Sequence, residues 1–280
     1  MPPPSCLPPT GVDSHAHIFR NDLPLASHRR YSPNYNATVE QYIGHLDHCG
    51  ISHGVLVQPS FLGTDNHYLV SALRQYPSRL RGTVVVDRDI TEGELDKLYD
   101  DGVVGVRLNL VGQTLEDYRT TPWQTFFRRL ARRQWSVEIQ RGMQDLPRIL
   151  PSILASGVTI VLDHFGLPDS EIDPDNTHHR ALLSLLNSED IWVKLSATYR
   201  SQASLTQART SIHQLCEAYG HSNRLVWGSD WPHTRFEDKT TYRAQFSLMQ
   251  CLLPNADDQH RVMVENPGKL FHIGRTRDGR

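Results

Sequence analysis

The sequence predicts a single-domain α/β fold, a (β/α)8 TIM barrel, and three observations carry that expectation. Eight short apolar runs, many rich in β-branched residues, recur at residues 11–18, 53–59, 80–87, 103–110, 136–140, 159–164, 191–198 and 224–231. Each precedes an amphipathic stretch: 38–49, 66–76, 91–99, 123–133, 146–155, 179–186, 205–219 and 242–253. Short apolar runs alternating with helix-length segments read as βα units around a parallel sheet buried on both faces. The third observation is length: 280 residues sit close to the ~250 typical of eight such units. A doubly wound open sheet is the alternative, but the first run is not followed by a Gly-x-Gly-x-x-Gly phosphate loop. No linker-like stretch divides the chain, so one domain over residues 1–280 is expected, with residues 1–10 as a flexible tail.

Taken in order, the units differ most in how their strands end. The first run closes on Asp13-Ser14-His15-Ala16-His17 and leads into a long irregular segment, 19–37. Side chains two apart on a strand share a face, so His15 and His17 present two imidazoles together. The fourth run carries Arg107 and Asn109 and precedes the irregular segment 111–122. The helix after it contains Phe126-Phe127-Arg128-Arg129-Leu130-Ala131-Arg132-Arg133, whose basic residues read as a solvated outer face. The fifth run ends at Gln140, followed by Arg141. The sixth ends in Leu162-Asp163-His164-Phe165-Gly166, the seventh leads to Arg200, and the eighth ends in Trp227-Gly228-Ser229-Asp230-Trp231-Pro232. Barrel active sites are built at the carboxyl ends of strands, so these polar residues are the candidates for chemistry. Taken singly, Asp163-His164 reads equally well as a loop-fixing pair and Asp230 as a cap. Three such sites at one end of three strands favour a functional reading.

Composition excludes several function classes. With 29 Lys+Arg against 31 Asp+Glu the formal net charge is −2, without the basic excess of a nucleic-acid footprint. No apolar run is long enough to span a bilayer, and Met1-Pro2-Pro3-Pro4 does not begin a secretory signal. Cys6, Cys49, Cys216 and Cys251 share no short spacing, so neither a zinc knuckle nor a redox pair is expected. With ordinary thiols and no visible signal, a cytoplasmic location is the expectation.

The ordered constellation of His-x-His after strand one, His164 after strand six and Asp230 in Trp-Gly-Ser-Asp-Trp-Pro resembles the amidohydrolase superfamily. More narrowly, the chain is similar to the 2-pyrone-4,6-dicarboxylate lactonase group. The segments that carry the likeness are Arg30-Tyr31-Ser32-Pro33, Val57-Gln58-Pro59, Gly63-Thr64-Asp65-Asn66, Gly105-Val106-Arg107-Leu108-Asn109, Asp163-His164-Phe165-Gly166-Leu167-Pro168 and Glu265-Asn266-Pro267. The resemblance implies a hydrolase opening a carboxylated lactone, with Asp230 as general base and His15, His17 and His164 as donors to the carbonyl. It implies Arg107 and Arg200 as carboxylate clamps, because a guanidinium matches a carboxylate bidentately. Tyr31 is a further substrate contact, with Asn109, Ser60 and Gln140 as weaker candidates.

Two departures concern the substrate. The group's second arginine after strand four falls at Val111-Gly112-Gln113, where Gln113 carries no charge. Its tyrosine near the end of strand five falls on Gln140, beside which Arg141 is expected to restore a cation. For a metal, strands four and five offer Arg107 and Gln140, neither a zinc ligand. The expectation is no required cofactor, with a divalent ion such as zinc at His15, His17 and Asp230 as the alternative. That alternative corresponds to a metal-dependent decarboxylase or amide hydrolase. The expected partner is a small anionic lactone, not nucleic acid or membrane.

Overall fold

The computed structural model describes residues 9–187 and 190–274. Eight parallel strands run in sequence order: β1 Val12–Ala16, β2 His53–Val57, β3 Leu80–Val84, β4 Val103–Asn109, β5 Ser136–Gln140, β6 Thr159–Leu162, β7 Ile191–Leu195 and β8 Leu225–Trp227. Helices α1 Val39–His48, α2 His67–Gln75, α3 Glu92–Asp100, α4 Thr121–Arg132, α5 Leu146–Leu154, α6 Thr177–Leu186, α7 Leu205–Tyr219 and α8 Tyr242–Leu252 follow them in turn. Every expected run and helix is present, so the TIM barrel expectation holds. The strands are shorter than the apolar runs where the runs continue into active-face turns. Beyond the eight units, α9 Ala256–His260 and α10 Asn266–Leu270 flank a wider helical turn at Arg261–Glu265.

Local sequence fixes several helix starts. Thr38 with Gln41, Thr91 with Glu94 and Ser204 with Gln207 form reciprocal capping boxes at α1, α3 and α7, each satisfying backbone donors the helix leaves open.

The barrel closes between β1 and β8 through an unusual seam. Asp230 N–H donates to the His15 carbonyl at 2.8 Å, and His17 N–H to the Trp231 carbonyl at 2.7 Å. The buried Asp13 carboxylate accepts from Ser229 N–H at 2.8 Å and Ser229 Oγ at 2.7 Å. A Cβ on Gly228 would lie 2.5 Å from His15 Cβ, so only glycine lets the two strands approach this closely. The seam therefore sets the distance between the first-strand histidines and Asp230.

The lumen divides into two halves. Val12, Val55, Val104, Val161, Trp192 and Val226 fill one end, sealed by Leu270, Phe271 and Ile273 from the C-terminal segment. Two residues further along the same face, Val161 gives way to Asp163 and Trp192 to Lys194. The lumen thus turns from hydrocarbon to charge toward the carboxyl ends of the strands. A larger apolar layer packs the helices onto the barrel.

Of the expected tail, residues 1–8 lie outside the described residues. Thr10 is tied down by its N–H to Ser52 Oγ at 2.9 Å and its hydroxyl to the Gly50 carbonyl at 3.0 Å. Among the described residues no helix is long and apolar enough to cross a membrane, and Cys49, Cys216 and Cys251 are free thiols; Cys6 falls outside them.

Candidate active site

At the open end, the structure brings His15, His17, His164 and Asp230 together, as the sequence predicts. Asp230 Oδ1 lies 3.6 Å from His15 Nε2, 3.6 Å from His17 Nε2 and 4.0 Å from His164 Nε2. All four side chains are buried. The backbone holding them is strained: Asp230 has φ +57° and His164 φ +53°, with Phe165, Leu167, Ala197, His233 and Arg235 also left-handed. Non-glycine residues in this region cost ~1–3 kcal/mol each, and these cluster after β6, β7 and β8.

Asp230 is oriented from behind. Its Oδ2 accepts from Arg200 Nε at 2.8 Å and from the Tyr199 hydroxyl, leaving Oδ1 without a hydrogen-bond partner. Burial alone raises a carboxyl pKa, yet the adjacent Arg200 guanidinium holds Asp230 well below the usual carboxylate range. A carboxylate that stays ionised, with one oxygen fixed and one available, is suited to accept a proton from water.

The three imidazoles are not equivalent. His17 Nδ1 lies 2.7 Å from the Val57 carbonyl, and a carbonyl only accepts, so Nδ1 carries the proton. Burial pushes His17 down to about 4, so near neutrality its Nε2 presents a lone pair. This corrects the expectation that His17 donates to the carbonyl oxygen. His164 Nδ1 pairs with Ser196 Oγ at 2.8 Å; the hydroxyl can donate there, which leaves Nε2–H toward the cleft. Burial holds His164 neutral, well below the ordinary imidazole range. His15 is raised instead: burial and Lys194 oppose its protonation, but Asp163 and Glu138 outweigh them. Both carboxylates lie 3.3 Å from its Nδ1, and Lys194 Nζ lies at 3.0 Å.

Beneath this layer is a buried charge network. Lys194 contacts Glu138 and lies 3.5 Å from Asp163. Arg107 Nη2 donates to Asp163 at 3.2 Å and to Gln140 Oε1 at 2.9 Å, and Nη1 donates to the Gln58 carbonyl at 3.3 Å. Two cations thus face two carboxylates, all buried.

The cleft above is lined by His17, Arg30, Tyr31, Ser60, Arg107, Asn109, Gln140, His164, Arg200, Asp230, Thr234 and Arg235, among others. Most residues expected to contact substrate therefore line this cleft, and the Tyr31 hydroxyl donates to Glu237 at 2.6 Å. Arg141 is not part of this wall. Its guanidinium is held by Asp145 at 2.6 Å, by the Gln113 carbonyl at 2.9 Å and by the Leu110 carbonyl. The expectation that it restores a missing cation is corrected: local acceptors bind it first. Sequence reasoning missed Lys194, Glu138, Tyr199 and Arg235. A charge in the middle of an apolar strand, as in Ile191-Trp192-Val193-Lys194-Leu195, was the available signal for Lys194.

As a metal site, the donor set fits. His15, His17 and Asp230 offer atoms within 4.8 Å of one another, as do His15, Asp163 and His164. His15 Nε2 and Asp230 Oδ1 lack partners, and carboxylates flank the far nitrogen of His15, as behind many metal-bound histidines.

The sequence matches the amidohydrolase family Amidohydro_2 over residues 12–273. It is 29% identical to a 2-pyrone-4,6-dicarboxylate hydrolase of Comamonas testosteroni, covering 95% of this chain and 91% of the relative. It is 27% identical to a 4-sulfomuconolactone hydrolase of Rhizobium radiobacter, covering 95% and 91%. Among solved structures, a probable 2-pyrone-4,6-dicarboxylic acid hydrolase of Acinetobacter baumannii with citric acid bound superposes with a TM-score of 0.89 at 37% identity. That superposition covers 94% of this chain and 99% of the other. The chain belongs to the amidohydrolase family.

Proposed function

We propose that the protein is a lactonase that opens a carboxylated lactone, such as 2-pyrone-4,6-dicarboxylate or a related product of aromatic breakdown, without requiring a metal ion. The observation that carries this reading is the convergence of one ionised aspartate and three imidazoles in a cleft walled by guanidinium groups. Relatives that act on lactones and a neighbour that holds citrate support it.

In this mechanism Asp230 Oδ1 takes a proton as water attacks the ring carbonyl carbon. The inward lone pair of His17 Nε2 accepts the second water proton as a hydrogen bond, which orients the attack. His15 and His164 direct N–H groups at the oxygen that becomes negative; preorganised donors of this kind are worth ~3–4 kcal/mol each. The intermediate collapses by breaking the ring C–O bond, and Asp230 returns its proton to the departing oxygen. Hydroxyl has then joined the carbonyl carbon and hydrogen the leaving oxygen, so water is fully accounted for. Arg107 and Arg200 hold the substrate carboxylate on the cleft wall.

A divalent cation bound by His15, His17 and Asp230 would supply Lewis-acid polarisation there. Charge balance favours the ion-free reading. The Asp230 carboxylate is already met by Arg200, and the cleft wall adds Arg30 and Arg235. A dication would enter a cationic cleft instead of neutralising an anionic one. The scattered free thiols support a cytoplasmic location.

The test is a screen of mono- and dicarboxylated lactones with and without a chelator. Ring opening that survives chelation is expected. Loss on chelation with recovery on zinc addition would establish the metal-dependent alternative, and the absence of any lactone turnover would reject the reaction class.

A further inference from the structure

We propose that Arg30 and Arg235 form a second anion clamp at the rim of the cleft, selecting substrates that carry a second carboxylate remote from the reacting carbonyl. The inference rests on the lactonase reading for its substrate, but not for its binding chemistry.

The argument is one of unbalanced charge. Among the described residues, four guanidinium groups line the cleft and Asp230 is the sole carboxylate that does. Arg107 faces Asp163 and Glu138, and Arg200 pairs with Asp230. Among the described residues, neither Arg30 nor Arg235 has a carboxylate partner for its side chain. Arg30 Nη2 donates instead to the neutral Asn109 Oδ1 at 3.1 Å. Asn109 is two residues beyond Arg107 on β4, a step of ~6.6 Å along the same strand face. Arg30 is therefore held against the residue one same-face step beyond Arg107, and both line the cleft. Partial desolvation at the mouth of the cleft, together with the guanidinium groups of Arg107, Arg235 and Arg200, lowers the Arg30 pKa. An incoming anion would relieve that repulsion.

Arg235 is presented from the loop after β8 and lines the same cleft. Its backbone is left-handed, with φ +73°, and its N–H donates to Glu237 Oε1 at 3.0 Å. The same oxygen accepts from the Tyr31 and Tyr35 hydroxyls at 2.6 and 2.7 Å. Glu237 thus ties the loop after β1, which carries Arg30, to the loop after β8, which carries Arg235. The two free cations are mounted on one cross-braced rim. Neither Gln113 nor the committed Arg141 can supply this charge.

The experiment compares isophthalate with benzoate, a ring with two carboxylates against one, by calorimetric titration of the wild type, Arg30→Met and Arg235→Met. Circular dichroism and thermal melting check that each variant is folded. The wild type is expected to bind isophthalate at least ~10-fold more tightly than benzoate, a difference worth ~1.4 kcal/mol. Each variant should lose most of that preference with benzoate affinity nearly constant, and Arg30→Lys should regain part of it. Equal affinities in the wild type, or a preference retained in both methionine variants, would overturn the clamp. Parallel lactone kinetics keep the two ideas apart. If isophthalate selectivity depends on Arg30 but no lactone is opened, the clamp stands and the reaction falls. If dicarboxylated lactones are opened equally well by wild type and variants, the clamp falls and the reaction stands.

Discussion

The floor and the rim of the cleft handle charge in opposite ways. On the floor, Lys194, Arg107, Glu138 and Asp163 are buried and balanced, two cations against two anions. At the rim, Arg30 and Arg235 are exposed and, among the described residues, lack carboxylate partners. A charge inside the barrel must be paired because desolvation costs several kcal/mol per ion. One in contact with solvent can remain unpaired until ligand arrives. The floor is consequently committed first to structure and orientation, with Arg107 alone of its four also lining the cleft, whereas the rim is free to select.

Three outcomes would break or sharpen this contrast. The largest effect is expected from Lys194→Met, which leaves Glu138 and Asp163 short of a cation inside the barrel. Removing one partner of a buried pair costs ~3–5 kcal/mol, so the melting temperature should fall by many degrees or the protein fail to accumulate. A melting curve like that of the wild type would show that the floor is not held by charge pairing. Next is Asp230→Asn, expected to lower kcat by ~10²-fold or more while isophthalate still binds, as for loss of a general base. Steady-state kinetics retaining near-full kcat would remove Asp230 from the chemistry.

The smallest effect is a graded acid sensitivity. His17, His53 and His233 are each lowered from 6.5 to about 4, chiefly by burial. Between pH 6.5 and about 4 the unfolded chain therefore binds protons that the folded protein refuses, so stability falls as pH falls through that window. His15 works in the opposite sense, because its raised folded pKa favours the native state below 6.5 and loses that contribution as pH rises through the folded value. Thermal melts from pH 7 to 4 should show a net decline, and a flat profile would contradict the burial of these imidazoles.

Much of the fold was legible because parallel strands buried on both faces must be apolar, and the helices between them carry their own caps. The eight runs and their order needed no long-range information. The site was partly legible for a related reason: His15, His17, His164 and Asp230 stand where apolar runs give out. Arg141 was misjudged because Asp145 and two backbone carbonyls capture it locally, which strand position does not reveal. The role of His17 was misjudged because its tautomer depends on the Val57 carbonyl, 40 positions away. Lys194 was overlooked because a lone charge in a strand says nothing about which carboxylates neighbouring strands bring to it.

The amino-acid order by itself determined the barrel, its single domain and the end at which chemistry gathers, since alternation, capping and strand-end polarity are local properties. Only the folded chain decided which nitrogen of each imidazole faces inward, which cations are spent on carboxylates and which remain unspent. Those outcomes depend on partners from other strands, and distances of 3–4 Å between them arise only when β1 and β8 close the ring.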